Sequence, residues 1–365
     1  MLKTNHRRGL TGAWCLGLTV AVLGALTVAP PPGQAAAPLS AAKRAQLDAV
    51  LNRIKPNGPG ASVAVVKNGE VVYQANRGMA NIAKRQPITA QTVFDLASCS
   101  KQFTAMATMM AAERGALSLK DDIRKFVPEL PANKAGITVT HLLNMTSGLA
   151  IYTDVLDDFE GVDAAEVARK MGREKPMFRP GKKHEYNNTD YVLLALIVQR
   201  ATKKSFAAFV NDSIFKPLGM NRSMVLDDAD RTVPGRAQGY TPDGKGFEAV
   251  QDDTDLVGDG QVFSTTDDLV KWDRALTRNS LVKPPMAKLA FTPGKLSNGD
   301  ESDYGFGWFV SQDDETHYVS HEGNWTGTNS YISRDLKSGL TVIVLCNNDK
   351  GGASAIGEKL EAVME

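Results

Sequence analysis

The chain has 365 residues, of which 42% are hydrophobic, 23% charged and 7% aromatic, proportions that exclude a disordered, collagen-like or disulfide-stapled protein. The length suits one large domain or two coupled ones, since single cores stop growing at about 250–300 residues. Lys and Arg number 42 against 41 Asp and Glu, and the first 37 residues hold three bases and no acid, which leaves 39 bases against 41 acids beyond them. That balance gives no electrostatic reason for a nucleic acid or an anionic membrane surface as partner.

Lys3, Arg7 and Arg8 precede a charge-free apolar stretch from Leu10 to Ala29, followed by Pro30-Pro31-Pro32-Gly33 and Ala35-Ala36-Ala37. A basic start, an apolar middle and a small-residue cleavage region read as a secretory signal peptide over residues 1–37. The alternative is a membrane anchor, but Gly12, Gly17, Gly24 and three Thr interrupt the stretch and no basic stop-transfer flank follows. Arg7-Arg8 hints at a twin-arginine signal. Cys15 follows Trp14 rather than a small residue, so a lipid-modified cysteine is not expected. No later segment is long and apolar enough to span a bilayer, and the chain from residue 38 is expected to be exported to the periplasm or beyond. Cys99 and Cys346 then remain; two cysteines make no framework, and buried free thiols are expected. CxxC, HExxH, Cys/His clusters and Asp-rich calcium loops are missing, as are GxGxxG and GxSxG, so neither a metal nor another cofactor is expected.

Ser40 caps a predicted helix whose Leu47, Val50, Leu51 and Ile54 follow helical spacing until Pro56. Ala61–Val66 and Val71–Gln74 are β-branched runs joined across Asn68-Gly69, the strongest local hairpin signal. A long helical stretch runs from Ser98 to Arg114, with Gly115 placed to end it. From about Asp121 to Ala287, short helical patterns alternate with Gly/Pro/Asp loops. Tyr318–Ser320, Asn329–Ser333 and Leu340–Cys346 read as strands, and Ala353–Met364 as a closing helix. Strands at both ends and helices between predict an α/β fold of the α+β kind: one antiparallel sheet built from both termini, covered by the terminal helices, with a mostly helical part inserted. The sheet part is expected at about 38–97 and 300–365, and the helical part at about 98–299.

Chemistry concentrates in three places. In Phe94-Asp95-Leu96-Ala97-Ser98-Cys99-Ser100-Lys101, Ser98 opens a helix and Lys101 lies one turn on along the same face. A serine hydroxyl needs an adjacent base to act as a nucleophile at neutral pH. Lysine serves when burial and cationic neighbours lower its pKa, and Phe94, Leu96, Phe103 and Met106 supply apolar surroundings. The helix N-terminus adds N–H groups and a positive dipole end for an oxyanion. Ser-x-x-Lys recurs at Ser40–Lys43, Ser213–Lys216 and Ser280–Lys283 without this context, and capping is the commoner role of serine at a helix start. Tyr186-Asn187-Asn188, the chain's one Tyr-x-Asn, precedes the apolar helix Tyr191–Val198; Tyr186 can pass protons and Asn188 can bond a substrate amide, or the pair is an ordinary loop. His321-Glu322-Gly323-Asn324, at the end of a predicted strand, is the one His-x-Gly; Gly323 would let a substrate backbone lie along the strand edge, or His321 is a surface residue before a turn.

Together, and in this order, the three resemble the serine β-lactamase and penicillin-binding-protein superfamily, above all the branch of class C β-lactamases, DD-carboxypeptidases, D-aminopeptidases and related esterases. Gly60-Ala61-Ser62-Val63-Ala64-Val65, Ile137–Leu149, Pro217-Leu218-Gly219-Met220 and Tyr304-Gly305-Phe306-Gly307-Trp308 extend the resemblance over residues 40–365. It implies Ser98 as nucleophile, Lys101 with Tyr186 as base pair, Asn188, His321, Gly323 and Asn324 on the substrate side, and an oxyanion hole from the N–H groups of Ser98 and Asn324. Where β-lactamases of this branch carry Lys-Thr-Gly, this chain has His321-Glu322-Gly323. A histidine with a pKa of about 6.5 is mostly neutral at pH 7, so recognition of a substrate carboxylate by His321 is expected to fade as pH rises. Asp259, in Gly258-Asp259-Gly260, stands in what the family uses as a site wall, where it would meet a substrate ammonium or simply serve a turn. The expectation is an exported serine hydrolase cleaving amides or esters through acyl-Ser98, with D-amino-acid-containing peptides or small esters as substrates. The rivals are a class C-like β-lactamase and a non-catalytic cell-wall-binding or sensor protein of the same fold. The oligomeric state stays open.

Overall fold

The computed structural model describes residues 39–156, 161–313 and 317–365; Cys15 and the residues read as a signal peptide lie outside them. Ser40 caps helix α1 (Ala41–Leu51), its Oγ accepting from Lys43 N–H at 3.2 Å. The helix ends three residues before Ile54, earlier than the spacing predicts. Strand β1 (Ala61–Lys67) turns through Asn68 and Gly69, both at positive φ (53° and 80°), into β2 (Glu70–Arg77). Two consecutive left-handed residues are what a two-residue hairpin turn matching strand twist requires.

The helical insertion supplies α2 (Lys101–Glu113), α3 (Asn188–Thr202) and α4 (Thr266–Thr277). The chain then returns through β3 (Phe309–Gln312), β4 (His317–Trp325), β5 (Thr328–Asp335), β6 (Leu340–Cys346) and the closing helix α5 (Ala353–Met364). The six strands form one sheet in the order β3-β4-β5-β6-β1-β2, antiparallel throughout. The N-terminal hairpin thus docks onto the last strand, with Ala61 opposite Cys346 and Lys67 opposite Leu340.

Strand alternation divides the core. Val63, Val65, Val342 and Val344 face α1 and α5, packing with Leu47, Leu51, Ile356 and Leu360. Ala64, Val66, Ile343 and Leu345 point the other way, into a larger core with Phe103, Met106 and Trp272 of the insertion. Both faces are covered, which is why β1 and β6 read as continuous apolar runs rather than alternating ones. Each buried Val or Leu contributes roughly 1.5–3 kcal/mol. The terminal helices cover one face, as expected, and α2 and α4 the other.

Some strands were not legible. No strand was read at β3, although it lies in the part expected to hold the sheet, and the small hairpin Gly239–Pro242/Phe247–Val250 lies in the stretch read as helical patterns and loops. β4 is longer than expected: it continues through His321 and Gly323 to Trp325, and the turn comes at Thr326-Gly327. Cys99 and Cys346 are buried free thiols, both pushed up to about 12 chiefly by burial.

Candidate active site

Ser98 lies in a tight turn, Ala97–Ser100, that runs straight into α2. Ala97 is left-handed at φ 46°, which costs a residue with a Cβ roughly 1–3 kcal/mol. Its neighbours over-determine the kink. Asp95 Oδ1 accepts from Ala97 N–H at 2.8 Å, Leu96 N–H donates to Val262 O at 2.9 Å, and Ser330 Oγ donates to Leu96 O at 2.6 Å. Ser98 is therefore set by β5 and by the short strand Val262–Ser264 as much as by its own helix.

Lys101 is fully buried, and its Nζ lies 3.0 Å from Ser98 Oγ. Nζ also donates to Asp259 O at 2.8 Å and sits 5.0 Å and 5.9 Å from the ring centroids of Tyr186 and Tyr191. Among the described residues no carboxylate pairs with it, so its partners are neutral oxygens and ring faces, and one of them is the hydroxyl it would deprotonate. The serines of the other Ser-x-x-Lys sequences have other tasks. Ser40 caps α1, Ser213 Oγ accepts from Arg114 at 2.9 Å, and Ser280 Oγ donates to Ala275 O at 3.3 Å.

The Tyr186 loop is held by the segment before it. Asn187 Nδ2 donates to Leu149 O at 2.7 Å, Asn187 Oδ1 caps α3 by accepting from Thr189 N–H at 2.9 Å, and Tyr191 Oη donates to Leu143 O at 2.9 Å. Tyr186 stacks on Phe309 with centroids 5.9 Å apart, and Asn188 Oδ1 is buried without a partner among the described residues.

β3 pairs with β4 only from His317 to Ser320; from His321 to Trp325 the strand partner of β4 is β5 alone. The edge left open runs past the nucleophile. A Cβ on Gly323 would fall 2.3 Å from Leu96 O, 2.5 Å from Ser330 Oγ and 3.0 Å from Ser98 N. The packing of β4 on the backbone leading to Ser98 by itself requires glycine here, a constraint separate from any substrate backbone along the edge. His321 departs from expectation. It is 1% exposed, Nε2 lies 3.0 Å from the Tyr304 hydroxyl, and Nδ1 lies 2.7 Å from Glu322 O. Burial and the Lys101 charge push its pKa down to about 3, so the ring stays neutral across the physiological range instead of titrating near 6.5.

A cavity of about 230 Å³ opens beside Ser98, and Tyr186, Asn188 and Asn324 line it with Ser98. Lys101, Gly323 and His321 are not among the residues that line it. Asp259 lines the cavity too, its Oδ2 accepting from Tyr152 Oη at 2.8 Å; burial raises its pKa more than Lys101 lowers it. Sequence reasoning gave no role to Asp95, Gln261, Tyr152, Leu256 or Trp325, which complete much of the wall. Asp95, three residues before Ser98, was in view; burial raises it to about 6, leaving it ionised at neutral pH. Among the described residues no group of three or more His, Cys, Asp or Glu is placed to hold a metal ion, and no helix is long and apolar enough to cross a membrane.

The chain is 33% identical over 313 residues to penicillin-binding protein 4* of Bacillus subtilis, covering 79% of this chain and 68% of that one. It is 28% identical to a D-aminopeptidase of Gluconobacter oxydans over 88% of its own length, and spans 62% of that relative. Among solved structures, the D-amino acid amidase of Ochrobactrum anthropi superposes with a TM-score of 0.71 at 26% identity, over 88% of this chain and 96% of that one. The Beta-lactamase family profile matches residues 44–362, and the chain belongs to that family as a serine hydrolase.

Proposed function

We propose that this hydrolase cleaves amide or ester bonds through an acyl-Ser98 intermediate, on D-amino-acid-containing peptides or amides or on small esters. The observation that carries the reading is the 3.0 Å contact between Lys101 Nζ and Ser98 Oγ beside the cavity. Ser98 Oγ attacks the substrate carbonyl carbon while its proton passes to Lys101 and Tyr186 acting as one base. The carbonyl electron pair moves onto oxygen, which the N–H groups of Ser98 and Asn324 receive. Collapse of the adduct expels the amine or alcohol, which takes the proton and leaves the acyl group on Ser98. Water then attacks the acyl carbon and gives its proton to the same base; the C–Oγ bond breaks, Ser98 Oγ takes that proton back, and the acid departs.

The D-aminopeptidase and D-amino acid amidase relatives support the D-amino acid class. A neutral, enclosed His321 argues against recognition of a β-lactam carboxylate at that position. Export after removal of residues 1–37 belongs to the same proposal and rests on the basic, apolar and small-residue succession there. The test is turnover of D- and L-phenylalaninamide, p-nitrophenyl esters and nitrocefin by the wild type and by Ser98→Ala. D-amide or ester hydrolysis that disappears in the variant is expected. Activity that survives Ser98→Ala refutes the nucleophile, and nitrocefin as the best substrate makes the enzyme a β-lactamase.

A further inference from the structure

Gln261 stands in the cavity wall, 4% exposed, with φ 65°, a left-handed conformation that glycine adopts freely and glutamine does not. Its backbone is tied down on every side. Leu226 N–H donates to Gln261 O at 2.9 Å, Val262 N–H to Ser100 Oγ at 3.0 Å, and Lys101 Nζ to Asp259 O at 2.8 Å. Glycine at this position would keep all three bonds and release the strain, so the backbone gives no reason for the side chain. Hydrogen bonding within the chain gives none either: among the described residues the Gln261 amide bonds to nothing, and its Oε1 is buried. A strained backbone holding an unpartnered buried amide at a cavity is the kind of outlier that points to a ligand.

The surroundings say which ligand. The cavity wall carries two carboxylates, Asp95 and Asp259, and no Lys, Arg or His. Lys101 is not part of the wall, and its Nζ is bonded to Ser98 Oγ and Asp259 O. Asp95 is on the strand that pairs with Val262–Ser264, immediately after Gln261, and Asp259 is two residues before Gln261, so the three lining residues come from adjoining backbone. One oxygen of each carboxylate is used internally, by Ala97 N–H and by Tyr152 Oη. A primary ammonium brings three N–H donors and a positive charge, which two carboxylates and one amide oxygen complement.

We propose that Gln261 is a specificity-determining residue that, with Asp95 and Asp259, receives the free amino group of the substrate. This rests on the acyl-Ser98 reading and adds to it the charged end of the acyl group: an unblocked amino-terminal residue, not an N-acylated one.

The experiment measures protection of Ser98 against a fluorophosphonate at pH 7 by D-phenylalaninamide and by N-acetyl-D-phenylalaninamide, which share the carbonyl and differ in the amine. The wild type is expected to be protected by the free amine at about ten- to a hundredfold lower concentration, the range of one charge-assisted bond. In Gln261→Gly that ratio falls about tenfold while Tm stays equal or rises, because the strain is gone. In Gln261→Glu the ratio rises. Each value is a ratio within one protein, so changes in Ser98 reactivity cancel. A labelled wild type with a ratio near one, or a ratio that Gln261→Gly leaves intact, overturns the proposal alone. A wild type in which Ser98 is not labelled overturns the acyl-serine reading, and this proposal with it.

Discussion

Replacing Gly323 by Ala tests whether the close packing of β4 on the nucleophile turn matters for reaction. The added Cβ would stand 2.3 Å from Leu96 O, where real contacts essentially never fall below 3.0 Å, so the two backbones must separate by about 0.7 Å. The obstructing atom is main chain, which Ser330 Oγ and the strand beyond it hold in place, so no rotamer change relieves the clash. Overpacking of this kind costs about 1–3 kcal/mol, and a displacement approaching 1 Å between reacting groups costs about a hundredfold in rate. Gly323→Ala should therefore lower Tm by several degrees and kcat on a p-nitrophenyl ester by about a hundredfold. A folded Gly323→Ala enzyme with kcat within about twofold of wild type would refute the reasoning, because Ser98 and the β4 edge would then tolerate the separation.

Lys101→Ala and Tyr186→Phe should each cost orders of magnitude in kcat and the double variant little more, since the two share one proton-transfer task; losses that multiply would show independent action. His321 makes acid stability the second readout. Its folded pKa of about 3 lies below the unfolded value of about 6.5, so its contribution is complete above about pH 6.5 and is lost as pH falls towards 3. At pH 5 the loss is about 2 kcal/mol, and His321→Gln should narrow the stability difference between pH 7.5 and pH 5 by about that amount in urea unfolding; identical differences would contradict a buried neutral ring.

Local signals with one dominant cause were legible in the sequence. Asn68-Gly69 specified its hairpin because few other dipeptides accept two positive φ angles, and Ser98–Lys101 stood out because apolar neighbours surround it. What the sequence hid were properties of distant pairing. His321 looked like a titrating residue because its enclosure depends on Tyr304, seventeen residues earlier and on another segment. The packing that requires glycine at 323 was hidden because the Leu96 carbonyl that crowds it lies more than two hundred residues away in the chain. Gln261 carried no signal at all, since left-handed backbone at a glutamine is visible only in three dimensions.

The central claim is that Ser98 carries the acyl group. Acid-quenched reaction with a p-nitrophenyl ester, followed by intact-mass measurement and peptide mapping, reads it directly. The account predicts one acyl group, on the peptide containing Ser98, that appears within the first turnover, decays as product accumulates and is missing from Ser98→Ala. An acyl group on another residue, or steady turnover in Ser98→Ala, would contradict it.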